Sequence, residues 1–167
     1  ISQNKKLQLR AEVSETYFSR ISTINDANFK MAYDNKLYKL SELNGKLISH
    51  GKASDGESFY IPITFEFDNI GNIIAGSFAE IFLLSTPQID VISTPVSAIT
   101  EEQGLYFVYI KTDDEHYRKQ EVTLGETDGA RVHIKSGLNA GDIVVTNGVY
   151  QVKLAATPSV IPEGHTH

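Results

Sequence analysis

Apolar and polar residues alternate along most of this chain, and the alternation breaks at turn signals spaced every eight to twelve residues or so. Leu7, Leu9, Ala11 and Val13 interleave with Gln8, Arg10 and Glu12, the period of a half-buried strand. The period then changes: Tyr17, Phe18, Ile21 and Ile24 recur at helical spacing behind Ser14, a suitable N-cap. Val13 and Phe18 stand where a hydrophobic staple would place them. A helix of about three turns is expected, ending at Asn25-Asp26. Phe29, Met31 and Tyr33 alternate again, and Asp34-Asn35-Lys36 turns the chain into 37–40. Asn44-Gly45 opens a strand over 46–50, and Asp55-Gly56 opens the clearest strand of all. In it Phe59, Ile61, Ile63, Phe65 and Phe67 share one face, while Pro62 on the other face implies an edge or a bulge. The apolar run 78–84 completes six strands and one helix, the inventory of a small closed antiparallel barrel.

The pattern restarts further on. The run 105–110, the charged tip 112–115 and the return 117–124 read as a hairpin, with Val122 and Leu124 on the buried parity. Residues 125–129 turn the chain into 131–135, where Val132 and Ile134 face inward. A glycine-punctuated loop over 136–142 precedes strands expected at 143–145 and 150–154. Between these two sets of strands lies 85–99, with Pro87 and Pro95 inside it. Proline donates no backbone hydrogen bond and holds its predecessor, here Thr86 and Thr94, extended. This segment reads as the crossing between two β-modules, with Ile89, Val91 and Val96 as its pairing or packing residues. The expected organisation is a β-barrel domain at 1–86, a second small β-domain at 87–155, and a loose tail at 156–167 carrying two prolines.

Composition narrows the partners. Of the net charge of −6, residues 1–86 hold nine Lys+Arg against ten Asp+Glu, and residues 87–167 hold six against eleven. Neither part offers a basic footprint for phosphate backbones, so no nucleic-acid partner is expected. The absence of cysteine excludes disulfides, thiol catalysis and cysteine zinc sites. No apolar run approaches the ~20 residues that span a bilayer.

The candidate chemistry is sparse. His165 and His167 form a terminal His-Thr-His near Glu163, a pair of imidazoles that an extended tail can offer to one divalent cation. A solvated tail is the commoner meaning of such a pattern. His116 beside Asp113, Asp114 and Glu115 reads as a charged hairpin tip. His133 stands between Arg131 and Lys135, whose charges oppose a metal ion, and His50 has no patterned partner. There is no Gly-x-Ser-x-Gly elbow, and Gly137-Leu-Asn-Ala-Gly141 is followed by Asp142, unlike a phosphate-cradling loop. No catalytic residue is expected, and no cofactor beyond that cation.

Seven segments in order carry a family resemblance. They are Leu7-Gln-Leu-Arg-Ala-Glu-Val-Ser-Glu-Thr-Tyr, Asn44-Gly-Lys-Leu-Ile-Ser, Ile63-Thr-Phe-Glu-Phe-Asp-Asn, Ile74-Ala-Gly-Ser-Phe-Ala-Glu-Ile, Thr94-Pro-Val-Ser-Ala-Ile, Gln120-Glu-Val-Thr-Leu-Gly and Ser136-Gly-Leu-Asn-Ala-Gly-Asp-Ile-Val-Val-Thr-Asn-Gly. From about Leu7 to Leu154 the chain resembles the C-terminal part of periplasmic adaptors (membrane fusion proteins, HlyD-like) of resistance-nodulation-division (RND) efflux pumps. Two departures are visible. Gly56-Glu-Ser-Phe-Tyr stands where many members carry Arg-Thr-Val, and Ala75-Gly76-Ser77 where Pro-Gly-Met is common. The His-containing tail resembles endings of cation-efflux members. Met31 is the only methionine, so a methionine relay for copper or silver has no residues here.

The resemblance implies a mainly β fold: a barrel domain with one short helix, then a membrane-proximal-type β-domain. The lipoyl-like domain and helical hairpin of the family have no counterpart in these residues. It further implies a non-enzymatic adaptor bridging an inner-membrane RND pump and an outer-membrane channel, exporting drugs or metal cations. Such a protein would be periplasmic, associated with the inner membrane through a region upstream of this chain, and homo-oligomeric in the full assembly. Candidate pump-docking residues are Gly137, Asn139, Gly141, Asp142, Asp113 and Asp114. Two alternatives stand beside this one: a metal-binding module that delivers a cation to the pump, and a carbohydrate-binding or hydrolase β-domain.

Overall fold

The computed structural model describes residues 5–51, 59–86, 90–149 and 152. Contacts divide the chain into two units, Ile1–Ile89 and Asp90–His167. The protein is mainly β, and every strand pairing is antiparallel.

The first unit holds β1 (Lys6–Ser14), a 3-10 turn (Glu15–Tyr17), α1 (Phe18–Ile21), β2 (Asp26–Met31), β3 (Leu37–Lys39), a second 3-10 turn (Leu40–Glu42), β4 (Lys46–His50), β5 (Tyr60–Asp68) and β6 (Ala79–Leu84). The expected closed barrel is corrected here. The strands form two three-stranded sheets, β1-β5-β4 and β3-β2-β6, and no ladder joins them among the described residues. They share one core instead. Phe29 of β2 lies 5.3 Å, ring centre to ring centre, from both Tyr38 on its own sheet and Phe67 on the other. Ile61, Ile63, Phe65 and Phe67 are buried, as their alternation requires. Phe59 lies before the strand and is 78% exposed.

Pro62 is not on an edge strand, because β5 is central to its sheet. It is tolerated for a local reason. Its carbonyl accepts from the Gly51 amide at 2.7 Å, one residue beyond the end of β4. Its nitrogen faces the same side of an antiparallel pair, so the missing donor falls where the β4 ladder has stopped. The bulge lies nearby, in β4: Leu47 pairs with Phe65 and Ser49 with Thr64, which leaves Ile48 extra and half exposed.

The helix is shorter than its pattern predicts. Ser14 caps the 3-10 turn before it, accepting from the Thr16 amide at 3.4 Å, while α1 itself starts behind Tyr17 with no side-chain cap, spans four residues and buries Ile21 alone. Phe18 is exposed, so the staple does not form. Ile24 accordingly serves the core from beyond the helix.

The second unit holds β7 (Ser93–Pro95), a 3-10 turn (Val96–Ala98), β8 (Thr100–Glu102), β9 (Leu105–Lys111), β10 (Tyr117–Thr127) and β11 (Arg131–Ser136). They form one sheet in the order β7-β11-β10-β9-β8. Its core is aliphatic: Val108, Ile110, Val122, Val132, Ile134 and Leu138, with Ile92, Ile99, Leu124 and Val144 packed on it. Pro95 sits on the edge strand β7, where a missing donor is harmless. Val91 and Val96, expected to pack, are both about two-fifths exposed; Ile92, Thr94 and Ala98 turn inward instead. Ile89 lies outside the described residues.

Two further expectations change. Residues 143–145 make an isolated bridge, Val144 to Ile110, with amide bonds Lys111 to Ile143 and Val145 to Tyr109. The strand expected at 150–154 is absent at the one residue of it described. Val152 donates to the Gly148 carbonyl at 3.2 Å and belongs to a helical turn.

Candidate docking surfaces

Gly137, Asn139, Gly141 and Asp142 occupy one loop. Its conformation follows from its residue types. Gly137 has φ 104°, and a Cβ there would collide with the Glu121 carbonyl oxygen and the Val122 backbone. The side chain of Asp142 accepts from the Asn139 amide at 2.8 Å, and the Asp142 amide returns a bond to the Asn139 carbonyl at 3.1 Å. Leu138 anchors the loop in the core. Gly141 also has positive φ, 95°, but its surroundings are open.

Asp113 and Asp114 lie on the β9–β10 tip. Asp113 accepts from the Glu115 and His116 amides at 2.9 and 2.8 Å and contacts the His116 ring at 2.7 Å. Those amide and imidazole hydrogen bonds hold its carboxyl below the ordinary aspartate range. Asp114 is fully exposed, 3.5 Å from Lys111. Because the Lys111 amide donates to Ile143, the tip and the exit of the glycine loop emerge at the same end of the unit. That bond brings Asp142 toward the tip residues Asp113 and Asp114, whereas Gly137 lies against Glu121 and Val122, further along β10.

The remaining candidates scatter. His50 Nε2 is 2.9 Å from the Ile24 carbonyl and so ties β4 to the end of the helical turn. His133 packs its ring over Gly125. Among the described residues no group of three or more His, Asp or Glu side chains is placed to hold a metal ion. His165, His167 and Glu163 lie outside the described residues. No described helix is long and apolar enough to cross a membrane.

One feature of the first unit escapes the sequence pattern. The outer edges of β1 and β6 are both unpaired among the described residues, and a cleft of about 480 Å³ separates them. Arg10, Ala11 and Glu12 line it on one side, and Phe78, Ala79, Ile81 and Leu83 on the other. Phe78 is 89% exposed at its mouth. The signal was present in β6. Its run of apolar residues has no polar alternation, and most of them end half-buried, which is how a strand between a core and an open cleft is coloured.

Comparison with known proteins places these surfaces in context. Residues 92–153 match the model of the CzcB C-terminal circularly permuted SH3-like domain. The chain is 30% identical over 118 residues to "Multidrug resistance protein MdtA" of Pantoea ananatis, which covers 70% of this chain and 29% of that protein. It is 29% identical over 89 residues to "Efflux pump periplasmic linker BepF" of Brucella suis, covering 53% of this chain and 22% of that one. The chain therefore spans less than a third of the length of these relatives. Among solved structures, ZneB from Cupriavidus metallidurans aligns over 87% of this chain and 41% of its own, at 24% identity and a TM-score of 0.43.

Proposed function

We propose that this chain is part of a periplasmic efflux adaptor, a reading its matches support, and that it links an RND pump in the inner membrane to an outer-membrane channel, for export of drugs or metal cations. One observation carries the reading: the second compact unit begins at Asp90, and the matched CzcB C-terminal domain begins at residue 92. A compact unit of the structure thus starts where a recognised domain starts. Its role is non-catalytic, the presentation of a shaped, acidic surface in the periplasm.

On this reading the tip and the glycine loop dock the pump. Gly137 and the Asn139–Asp142 bonds hold the loop in one conformation before binding, so little conformational entropy is lost on contact. Asp113, Asp114 and Asp142 provide negative charge that steers a basic partner surface. The full-length adaptor, co-expressed with its pump and captured from detergent, tests this. Deleting residues 90–152 is expected to abolish capture. Asp114→Lys, which breaks only an exposed ion pair, is expected to weaken it about tenfold, chiefly by slowing association. Capture of the deletion variant at wild-type yield would rule out docking through this unit.

A further inference from the structure

Asparagine is followed by glycine twice in the chain, at 44–45 and at 147–148. The fold treats the two pairs in opposite ways. Asn44 is locked in a left-handed turn at φ 52°, and its Nδ2 donates to the Asp68 carboxylate at 2.9 Å. The Gly45 amide donates to the Leu40 carbonyl at 2.8 Å, and the glycine packs against Leu40. Both the amide that would react and the nitrogen that would attack it are committed.

Asn147 has none of these restraints. It is exposed, and among the described residues its side chain and the Gly148 amide have no hydrogen-bond partner. Fixed points flank it on both sides. Ser97 donates to the Thr146 carbonyl at 3.0 Å, and the helical turn of Val149 and Val152 begins at the Gly148 carbonyl. Gly148 itself has φ 71° and no Cβ to obstruct approach of its nitrogen to the preceding side chain.

We propose that Asn147 is a site of spontaneous deamidation. Hydroxide removes the Gly148 amide proton, and the nitrogen attacks Cγ of Asn147. The Cγ–Nδ2 bond then breaks, and ammonia departs with a proton returned from water. The five-membered succinimide that remains is opened by water at either carbonyl, giving aspartate or isoaspartate. No oxidant or reductant is involved. The product adds one negative charge to a unit already rich in acid. The isoaspartate branch also lengthens the main chain by one methylene at residue 147, two positions before Val149, which is 8% exposed. The turn that seats Val149 is then displaced, and aged copies of the chain differ from new ones at this point of the second unit.

The test is peptide mapping by mass spectrometry of the purified full chain, incubated at mildly alkaline and mildly acidic pH. Isoaspartate is read by enzymatic methyl transfer. In the folded chain a gain of about one dalton is expected at Asn147 at least about tenfold faster than at Asn44, because reaction at Asn44 first requires breaking two hydrogen bonds. The rate at Asn147 should rise with pH. In denaturant the two sites are expected to react at similar rates, which assigns the folded-state difference to structure, and Asn147→Gln should remove the product. Equal rates at the two sites in the folded chain would overturn the proposal, as would faster reaction at Asn44 or a pH-independent rate at Asn147.

Discussion

The first unit encloses Phe29 between Tyr38 of its own sheet and Phe67 of the facing one, while the second gathers Val108, Ile110, Val122, Val132 and Ile134 from a single sheet. The first has the larger, aromatic core and, among the described residues, leaves the edges of β1 and β6 unpaired around a cleft. The second has a smaller, aliphatic core, but residues 143–145 pair with the half of β9 that β8 leaves free. Stability in the first unit therefore resides in side-chain burial, and in the second it leans on loops and backbone geometry. Mutations should separate the two.

The largest effect is expected from Phe29→Ala. It removes a fully buried ring that both sheets contact, at a cost of about 3–5 kcal/mol, read as the denaturation midpoint of a probe in the first unit. A loss under about 1 kcal/mol would show that the sheets do not depend on this contact. Next is Gly137→Ala, in which a left-handed residue meets backbone that has no room to move. A loss of about 2–4 kcal/mol is expected for the second unit. Gly141→Ala, with the same sign of φ but open space, should cost only about 1 kcal/mol. Equal losses at the two glycines would refute steric locking of the loop.

Thr94→Val should act in the other direction. Thr94 is buried, and its hydroxyl has no partner among the described residues, so an apolar isostere should raise the second unit's stability by about 1 kcal/mol.

The smallest effects concern pH. Asp34 is held below the usual carboxylate range by the Lys36 amide and the Tyr38 hydroxyl, and Tyr38 is raised by its bond to Asp34. A depressed carboxyl contributes stability above its unfolded pKa and loses it as pH falls through the folded value. A raised phenol contributes below its unfolded pKa and loses it as pH rises through the folded one. The first unit should thus weaken at both extremes, and Asp34→Asn should flatten its acid side. Asp113, also depressed, gives the second unit an acid limb alone, which Asp113→Asn should remove. Unchanged acid titration of stability in these variants would dispose of both assignments.

The strands were legible wherever a period of two faced a core. β5 shows its four buried residues directly, and Val132 and Ile134 do the same in β11. What the pattern hides is non-local. Whether six strands close depends on β1 meeting β6, and no alternation records that. Ile48 reads as an ordinary strand residue, although a bulge turns it outward. The pattern predicts more helix than forms because Phe18 keeps helical spacing with Ile21 while the chain has no core to offer it. Val152 sits in a helical turn that its β-branched neighbourhood argues against, an override of local preference by context. The six docking candidates lie in a glycine-punctuated loop and a charged tip, both local patterns that the sequence displays. That Asp142 approaches the tip is not displayed there, since the Lys111–Ile143 bond joins residues far apart in sequence.

The pairing of β1 with β5 has a consequence in time. Lys6 lies opposite Asp68, and the register runs back to Ser14 opposite Tyr60. Everything from the helix through β4 must therefore be made before β1 has a partner. Closing so long a loop is slow compared with forming the β9–β10 hairpin, whose strands are neighbours in sequence. A chain emerging from its N-terminus carries β1 unpaired for most of the first unit's synthesis, with Leu9 and Ala11 uncovered. Lys6, Arg10 and Glu12, which alternate with those apolar residues, keep that waiting strand charged and discourage its pairing with another chain. Although β1 precedes the other strands of this unit in the chain, it is among the last of them to be satisfied.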